Sequence, residues 1–320
     1  MTEESRSGEA GAIAVIGGGS IGIAFAIVFA RAGRQVRLHE PDAARRAAIP
    51  GALRARLDDL SAYELLDEPS DIVSRRVTVA ADLAAAVQGA VYVQECAPED
   101  LALKKALFAE LDRLAPPQAV LASASSAIVA SAFAADLPGR ARVLVTHPGN
   151  PPFLIRVVEI VPAPFTHPDS VACATEVLKS AGMEPVLVRK EIEGFVFNRL
   201  QGALLREAYC LVRDGVASVD DVDCIVRDGL GLRWSIIGPF ETVDLNTQGG
   251  IESHARKMGP AYERMGAERG QRDPWTPDLV AKVSAARRAL LPLDRWTERV
   301  GWRDRKLMSL VRHRKGEQSE

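Results

Sequence analysis

The stretch that decides the fold spans residues 12–22 and reads Ala12-Ile13-Ala14-Val15-Ile16-Gly17-Gly18-Gly19-Ser20-Ile21-Gly22. Its first five residues are a short apolar run suited to a buried parallel strand. Glycines at GxGxxG spacing follow, and the apolar residues 21–32 are typical of a helix. Residues 35–39 predict a second strand. Strand, glycine turn, helix and strand in this order are typical of a dinucleotide-binding unit.

Each glycine of this turn has a steric reason to be there. Gly17 makes the tight turn, Gly19 lets the backbone approach a pyrophosphate, and Gly22 lets the helix pack against the strand. Ser20 and Ile21 open the helix, where free N–H groups are expected to hold the phosphates. These five residues are therefore predicted to bind the cofactor.

Glu40 follows the second strand, eighteen residues after Gly22. A carboxylate at this place binds the two ribose hydroxyls and repels a 2'-phosphate, which predicts NAD rather than NADP. Arg45 and Arg46 would weaken that preference if they reached the cofactor. We expect them instead to be solvated in the first turn of the next helix.

Further short strands are predicted over residues 77–80, 91–95, 119–123, 143–147 and 157–161, and helical stretches such as 101–114 separate most of them. This alternation predicts an α/β fold, a Rossmann-type, doubly wound, mainly parallel sheet. After about residue 188 the pattern is helical, over 194–212, 219–228, 251–269, 277–291 and 293–311. We therefore expect a Rossmann domain over residues 1–190 and an all-helical domain over 191–320.

Composition excludes several classes of protein. The chain has 320 residues, 47% of them hydrophobic, and a net charge of -2, so it can bury a large core and has no field that attracts nucleic acid. No apolar run reaches the roughly 18 residues that span a bilayer, and the polar start is not a signal peptide, which predicts a cytoplasmic protein. The four cysteines lack CxxC spacing, so no metal site is predicted.

His147 and Glu159 are polar residues within two otherwise apolar predicted strands. Burying either one without a partner would be costly. If the strands are neighbours, the carboxylate can hydrogen-bond one imidazole nitrogen and leave the other for a substrate hydroxyl, as in a general-base pair. A buried pair with a purely structural role is the alternative that spacing leaves open.

Five segments together resemble the L-3-hydroxyacyl-CoA dehydrogenase family, and the match is ordered over roughly residues 12 to 250. They are residues 17–22 (GGGSIG), 95–101 (ECAPEDL), 147–152 (HPGNPP), 158–159 (VE) and 194–200 (GFVFNRL). Residues 94–105, 147–164 and 229–250 are most similar to the short branch of the family that contains L-gulonate 3-dehydrogenase and lambda-crystallin, with L-carnitine dehydrogenase nearby.

This resemblance implies a site in a cleft between the two domains, with His147 as the base and Glu159 as its partner. It implies that Ser126 and Asn198 hold the substrate oxygen, and that Asn150 lies beside the histidine. Glu99 and Lys104 match positions that line the nicotinamide and ribose pocket. It also implies a homodimer formed by the helical domain.

The segment around Arg233 departs from the acyl-CoA enzymes, because residues 231–237 (GLRWSII) form a longer stretch before Gly238. Arg233 can pair bidentately with a free carboxylate, which favours a small acid over a thioester. A surface arginine on a helix linker is the alternative. Gly149 stands where most members of the family have a bulkier residue, and Arg156 stands where proline is usual in the most similar branch. Arg156 would either bring a cation near the pocket or point to solvent.

The function predicted from these observations is NAD-dependent oxidation of the 3-hydroxyl of a small L-3-hydroxy acid, similar to L-gulonate, to the 3-keto acid. Alternatives are a 3-hydroxyacyl-CoA dehydrogenase and an L-carnitine dehydrogenase. Two further readings are not enzymatic: a crystallin-like structural protein that binds NAD, and an NAD-responsive regulatory module without turnover.

Overall fold

The structure is a computed structural model that describes residues 11–235, 237–246, 250–269 and 292–317, with the single residues 278, 285 and 289. The chain forms two compact units. The first comprises the residues up to Asn198 together with those from Val300 onward, and the second comprises Arg199–Arg299.

The first unit is built on one eight-stranded sheet with the strand order β3-β2-β1-β4-β5-β6-β7-β8. The strands are β1 (Ala12–Ile16), β2 (Val36–His39), β3 (Val77–Val79), β4 (Ala90–Glu95), β5 (Val120–Ser123), β6 (Val143–Pro148), β7 (Val157–Pro162) and β8 (Glu184–Leu187). Strands β1 to β6 are parallel, whereas β7 pairs antiparallel to β6 and parallel to β8. The predicted doubly wound, mainly parallel sheet is thus confirmed.

The core lies on both faces of this sheet, as a sheet covered by helices requires. Alternate residues of β1 supply the two sides: Ile13 and Val15 pack into one cluster, and Ala14 and Ile16 into the other. The helices of this unit are α1 (Ser20–Arg31), α2 (Ala43–Ala62), α3 (Ser70–Arg75), α4 (Leu83–Val87), α5 (Leu101–Leu114), α6 (Ala130–Ala134) and α7 (Pro168–Ser180).

The second unit is helical over its described residues, as predicted. It contains most of α8 (Phe197–Arg213), then α9 (Val219–Cys224), a π-helical segment (Ile225–Leu230), α10 (Gly231–Trp234), α11 (Pro239–Asn246) and α12 (Gly250–Arg269). Arg269 joins the end of α12 to α8, with its guanidinium 2.9 Å from Glu207 and 2.6 Å from Asp214. The helix predicted over residues 277–291 lies almost wholly outside the described residues.

Two features differ from the sequence-based expectation. Strand β8 was not predicted, because it is only four residues long, contains Pro185 and lies at the sheet edge, where proline costs no ladder hydrogen bond. The last helix, α13 (Trp296–Glu317), was expected to belong to the helical domain, but its residues from Val300 onward group with the first unit. The buried Met308 packs into the core there.

Within the described residues, no helix has the length and apolar content that crossing a bilayer takes.

Candidate active site

The glycine turn after β1 has the geometry that its sequence predicts. Gly17 has a φ of +108°, a left-handed conformation that side chains rarely adopt. A Cβ on Gly22 would lie 1.8 Å from the Gly17 carbonyl oxygen, so helix and turn can approach this closely only with glycine. A Cβ on Gly19 would meet nothing within 4 Å, which leaves that backbone open to a ligand.

A cavity of about 770 Å³ opens beside this turn, at the carboxyl ends of β1, β2 and β4. Gly17, Gly19, Ser20 and Ile21 line it, and it extends past Glu40 to residues 81–83. Ligands of open α/β sheets bind at the carboxyl ends of the strands. The open backbone at Gly19 and this cavity fit a dinucleotide.

Glu40 is 4% exposed, and its carboxylate accepts hydrogen bonds from the backbone N–H groups of Gly18 (2.8 Å) and Asp42 (3.0 Å). The arginines expected to be solvated both line the cavity. Arg45 lies 3.3 Å from the Glu40 carboxylate, although its side chain is 65% exposed, and Arg46 donates to the Glu40 carbonyl (2.7 Å). The carboxylate is thus fixed at the edge of the cavity, and a cation borders it.

His147 and Glu159 are opposite each other in the β6–β7 ladder. The His147 Nδ1 atom is 2.7 Å from a Glu159 carboxylate oxygen, and the residues are 6% and 3% exposed. This contact sets the Nδ1 atom as a donor to the carboxylate, so the neutral imidazole keeps a lone pair on Nε2. Such a pair can accept a proton at Nε2 while Glu159 stabilises the resulting cation.

The other Glu159 oxygen accepts two backbone N–H groups, from Val196 (2.8 Å) and Phe197 (3.0 Å). Burial alone would raise the pKa of Glu159, but the hydrogen bonds from His147, Phe197 and Val196 outweigh burial and lower it. The carboxylate is therefore held ionised beside the imidazole.

The two N–H groups reach Glu159 through a sharp turn before α8. Gly194 and Phe195 have φ values of 74° and 49°, and Phe195 is fully buried, 5.6 Å from the His147 ring centre. A bulky residue in the left-handed region is strained, and packing holds it there. Sequence reasoning singled out this segment but did not identify its backbone as a partner of Glu159, because no side-chain pattern reveals N–H direction.

Ser126 and Asn198 lie together, since the Asn198 amide donates to the Ser126 carbonyl oxygen (2.9 Å). That bond ends on the backbone carbonyl of Ser126, an exposed residue, and so does not engage the Ser126 hydroxyl. Asn198 is the second residue of α8, next to Phe197, whose N–H contacts Glu159. The structure thus groups Asn198, Ser126 and the histidine partner on adjacent segments.

Glu99 organises the loop that carries Ser126. One of its oxygens accepts the backbone N–H groups of Ser126 (3.1 Å), Ala127 (3.1 Å) and Ile128 (3.2 Å), and the Ser125 hydroxyl also donates to it. Burial favours a higher pKa for Glu99, but these hydrogen bonds and the charge of Lys104 lower it. The Glu99 oxygen that accepts these four hydrogen bonds is therefore engaged with protein.

For Lys104 the structure corrects the expectation of a pocket-lining ammonium. The residue is 1% exposed, and its Nζ atom lies 2.9 Å from both oxygens of the fully buried Glu95. Glu95 also accepts the Ala97 N–H (2.7 Å) and the Ser123 hydroxyl (2.5 Å). A cation without water needs a paired anion, so this ammonium is held by Glu95 in the interior.

The remaining predicted residues are dispersed. Asn150 is exposed two residues after the end of β6. Arg156 donates to the Gly182 carbonyl (2.6 Å) and pairs with Glu184 (3.0 Å). Its guanidinium therefore binds the start of β8 and the turn before it. A Cβ on Gly149 would lie 2.3 Å from an Ile155 methyl, which explains glycine there. Arg233 is exposed on α10 of the second unit.

In the described part of the chain, no group of three or more His, Cys, Asp or Glu side chains is placed to hold a metal ion. None of the four cysteines forms a disulfide bond. Cys96 lines the cofactor cavity, and burial, followed by the charge of Glu95, raises the pKa of its thiol.

Two family models match the chain. Residues 12–192 match the NAD binding domain of 3-hydroxyacyl-CoA dehydrogenase, and residues 194–289 match the C-terminal domain of the same family.

Curated relatives extend this likeness over nearly the whole chain. A lambda-crystallin homolog of Bos taurus is 37% identical over 305 residues, covering 94% of this chain and 95% of the relative. An L-carnitine dehydrogenase of Mesorhizobium japonicum is 36% identical over 256 residues, which is 78% of this chain and 68% of the relative.

Solved structures agree in fold. The 5-formyl-3-hydroxy-2-methylpyridine 4-carboxylic acid 5-dehydrogenase, described as an NAD-dependent dismutase, superposes with a TM-score of 0.79 at 28% identity and covers 95% of this chain and 98% of that one. The 3-hydroxybutyryl-CoA dehydrogenase of Escherichia coli gives a TM-score of 0.64 at 33% identity, with coverages of 73% and 49%. The chain belongs to the 3-hydroxyacyl-CoA dehydrogenase family and is an NAD-dependent oxidoreductase that acts on CH–OH groups.

Proposed function

We propose that this enzyme oxidises the 3-hydroxyl of a small L-3-hydroxy acid, similar to L-gulonate, to the 3-keto acid, with His147 and Glu159 as a general-base pair. The observation that carries the proposal is the 2.7 Å contact between His147 Nδ1 and Glu159, in a pair that is almost fully buried. It gives the imidazole a fixed tautomer, which is what a proton acceptor requires.

In this mechanism the substrate hydroxyl donates its hydrogen bond to His147 Nε2. The proton passes to Nε2 as the C3–H bond breaks, and the Glu159 carboxylate stabilises the imidazolium that forms. Acceptance of the hydride from C3 is the chemistry that NAD would supply when bound. The Ser126 hydroxyl and the Asn198 amide are proposed to donate to the developing carbonyl oxygen.

Cofactor binding is assigned to the glycine turn and Glu40. Gly17, Gly19 and Gly22 shape the turn, and the N–H groups that open α1 at Ser20 and Ile21 face the expected phosphate position. Glu40 is proposed to bind the adenosine ribose hydroxyls, and Glu99 to border the nicotinamide end through the loop it orders.

Two points support a free acid as substrate. The relative named L-carnitine dehydrogenase acts, by its name, on L-carnitine, which is a free 3-hydroxy acid. In addition, Arg233 offers a fork of N–H donors that suits a carboxylate. Asn150 is proposed to contact the same substrate near His147.

A CoA thioester is the second candidate, because a Gibberella moniliformis relative named 3-hydroxyacyl-CoA dehydrogenase is 35% identical and covers 97% of this chain. The deciding assay measures NADH formation with L-gulonate, L-carnitine, L-3-hydroxybutyrate and L-3-hydroxybutyryl-CoA. Turnover of a free acid supports the proposal, and turnover of the thioester alone contradicts it. NAD binding without turnover of any of them would favour a structural role instead.

Arg233 is tested separately by Arg233→Met. The Michaelis constant for free acids should rise by about tenfold or more, because a bidentate charge pair is lost, while the thioester constant stays within about twofold. Arg227→Met, in the preceding π-helical segment, is the control. Equal effects of Arg233→Met on acid and thioester would remove the carboxylate role.

A homodimer through the second unit is also proposed. This unit exposes several large apolar side chains, including Phe240 (78%), Leu232 (68%), Leu245 (68%) and Val216 (68%). A second copy of the chain would bury these side chains in an interface. Light scattering should give twice the chain mass, and a monomer at micromolar concentration would contradict the proposal.

The proposed location is the cytoplasm. Cysteines that form no disulfide bond are typical of a reducing compartment. Fractionation of the source cells would test this.

A further inference from the structure

Arg56 is a cation beside the glycine turn that neither the motif nor the family match singles out. It lies on α2, whose buried stripe consists of Ile49, Leu53, Leu57 and Leu60. Arg56 follows Leu53 by three residues and precedes Leu60 by four, so it stands at the border of this buried stripe. Packing of the stripe against the core therefore fixes the direction in which Arg56 extends.

The guanidinium ends on Ser20, the first residue of α1. Arg56 Nη1 donates to the Ser20 carbonyl oxygen (2.8 Å), and Nη2 donates to the Ser20 hydroxyl oxygen (3.0 Å). Ser20 follows Gly19, whose backbone is open, and it lines the cofactor cavity. Because the hydroxyl accepts from Arg56, its own hydrogen is directed to another acceptor.

On its other side Arg56 meets the loop that follows the histidine strand. Its Cζ atom lies 6.0 Å from the centre of the Phe153 ring, within the range of a cation–π contact. Phe153 is 5% exposed and held by Arg31, which donates to its carbonyl oxygen (3.1 Å). Arg56 thus contacts both Ser20 of the glycine turn and Phe153 of the segment after β6.

Arg45 and Arg46 line the cavity, whereas Arg56 contacts one of its lining residues, Ser20. Arg45 and Arg46 contact Glu40 and its backbone, at the ribose end. Arg56 uses two of its five N–H donors on Ser20 in the described structure. Burial lowers the pKa of its guanidinium, and the charge of Asp304 acts in the opposite direction. A nearby anion stabilises a partly desolvated cation, because their attraction is less screened by water.

We propose that Arg56, together with the Ser20 hydroxyl, binds the pyrophosphate of NAD. Arg56 Nε and the second hydrogens of Nη1 and Nη2 supply the donors, and the Ser20 hydroxyl supplies one more. A planar guanidinium matches two phosphate oxygens, so this contact adds charge to a turn that otherwise offers neutral N–H groups. Phe153 keeps the guanidinium plane in place.

The test compares the affinities of ligands that contain the pyrophosphate with the affinity of one that lacks it. No substrate is added, so the result does not depend on turnover. Dissociation constants of NADH and ADP-ribose are measured by fluorescence or calorimetry, and that of adenosine by competition with NADH. Arg56→Met should raise the dissociation constants of NADH and ADP-ribose by about tenfold, as expected for loss of a charge-assisted hydrogen bond. The dissociation constant of adenosine should stay within about twofold of the wild-type value. The NADH and ADP-ribose dissociation constants of Arg56→Lys should lie between those of the wild type and of Arg56→Met.

Arg54→Met is the matched control, because Arg54 lies on the same helix, is exposed and pairs with Asp58 (3.2 Å). It should leave all three constants unchanged. Unchanged NADH affinity in Arg56→Met would overturn the proposal. An equal loss for adenosine would also overturn it, since the residue would then only support the cavity. If Arg56→Met does not fold, the same ligand comparison with Arg56→Lys and Ser20→Ala decides the matter.

Discussion

Two buried pairs each contain a carboxylate, one at the end of β4 and the other across the β6–β7 ladder, and they differ in the hydrogen-bonding atoms that they leave unused. Glu95 and Lys104 are 0% and 1% exposed, and every partner of that pair comes from the protein. Glu159 and His147 are almost as buried, yet none of the hydrogen bonds made by described residues uses His147 Nε2. We call the Glu95–Lys104 pair closed, because its charged groups bond only to each other and to other protein groups. The Glu159–His147 pair is open, because Nε2 remains as a proton acceptor. This difference distinguishes a structural pair from a pair that is able to act as a base.

The largest expected effect comes from breaking the closed pair. Lys104→Met leaves the Glu95 charge buried without its cation and should lower the unfolding free energy by about 3–5 kcal/mol. Urea denaturation measures this. Lys105→Met, at the exposed neighbouring position, should change stability by less than about 0.5 kcal/mol. Equal small effects would mean that the Glu95–Lys104 pair does not exist as described.

Glu159→Gln should sharpen the comparison at the open pair. A Gln amide would donate to His147 Nδ1 and leave Nε2 protonated, so the imidazole could no longer accept the substrate proton. Turnover should fall by about 100-fold or more, while NADH affinity stays within about twofold. Steady-state kinetics and NADH titration measure both. Turnover close to wild type would make the pair structural, like Glu95 and Lys104.

Glu40→Ala tests the cofactor end of the cavity. Loss of the buried carboxylate should lower the preference for NAD over NADP by about tenfold, since Arg45 and Arg46 then face the ribose without Glu40. The ratio of kcat/KM values for the two cofactors measures this. An unchanged ratio would show that Glu40 only holds the N–H groups of Gly18 and Asp42.

The smallest expected effect is on acid stability. The folded-state pKa of Glu159 is lowered, so its contribution to stability is present above the unfolded value near 4.5 and is lost as pH falls through the folded value. Glu159→Gln should therefore flatten the fall in unfolding free energy below the unfolded-state pKa of about 4.5. Glu176→Gln, an exposed change on α7, should keep the wild-type slope. An unaltered slope in Glu159→Gln would contradict the lowered pKa.

Local patterns predicted much of this molecule. The glycine turn follows from spacing along one short segment, and the strands were recognisable because apolar runs mark a buried parallel sheet. The contact between His147 and Glu159 was predicted on the condition that their strands are neighbours, because a polar residue buried inside each strand needs a partner.

What the sequence did not reveal depends on contacts between distant segments. The ammonium of Lys104 was expected at the pocket, but side-chain direction on α5 and the burial of Glu95 decide where it ends. The N–H groups of Val196 and Phe197 reach Glu159 only through the strained turn at Phe195. Arg56 meets Ser20 across 36 residues, and no local pattern predicts that contact.

His147→Ala tests the central claim most directly, with NADH affinity and turnover measured on the same preparation. The open pair predicts a fall in turnover of about 100-fold or more with NADH affinity within about twofold of wild type, because the base is removed and the cofactor cavity is not. His167→Ala, an exposed histidine before α7, should leave both unchanged. Turnover of His147→Ala within about threefold of wild type would contradict the assignment of His147 as the base.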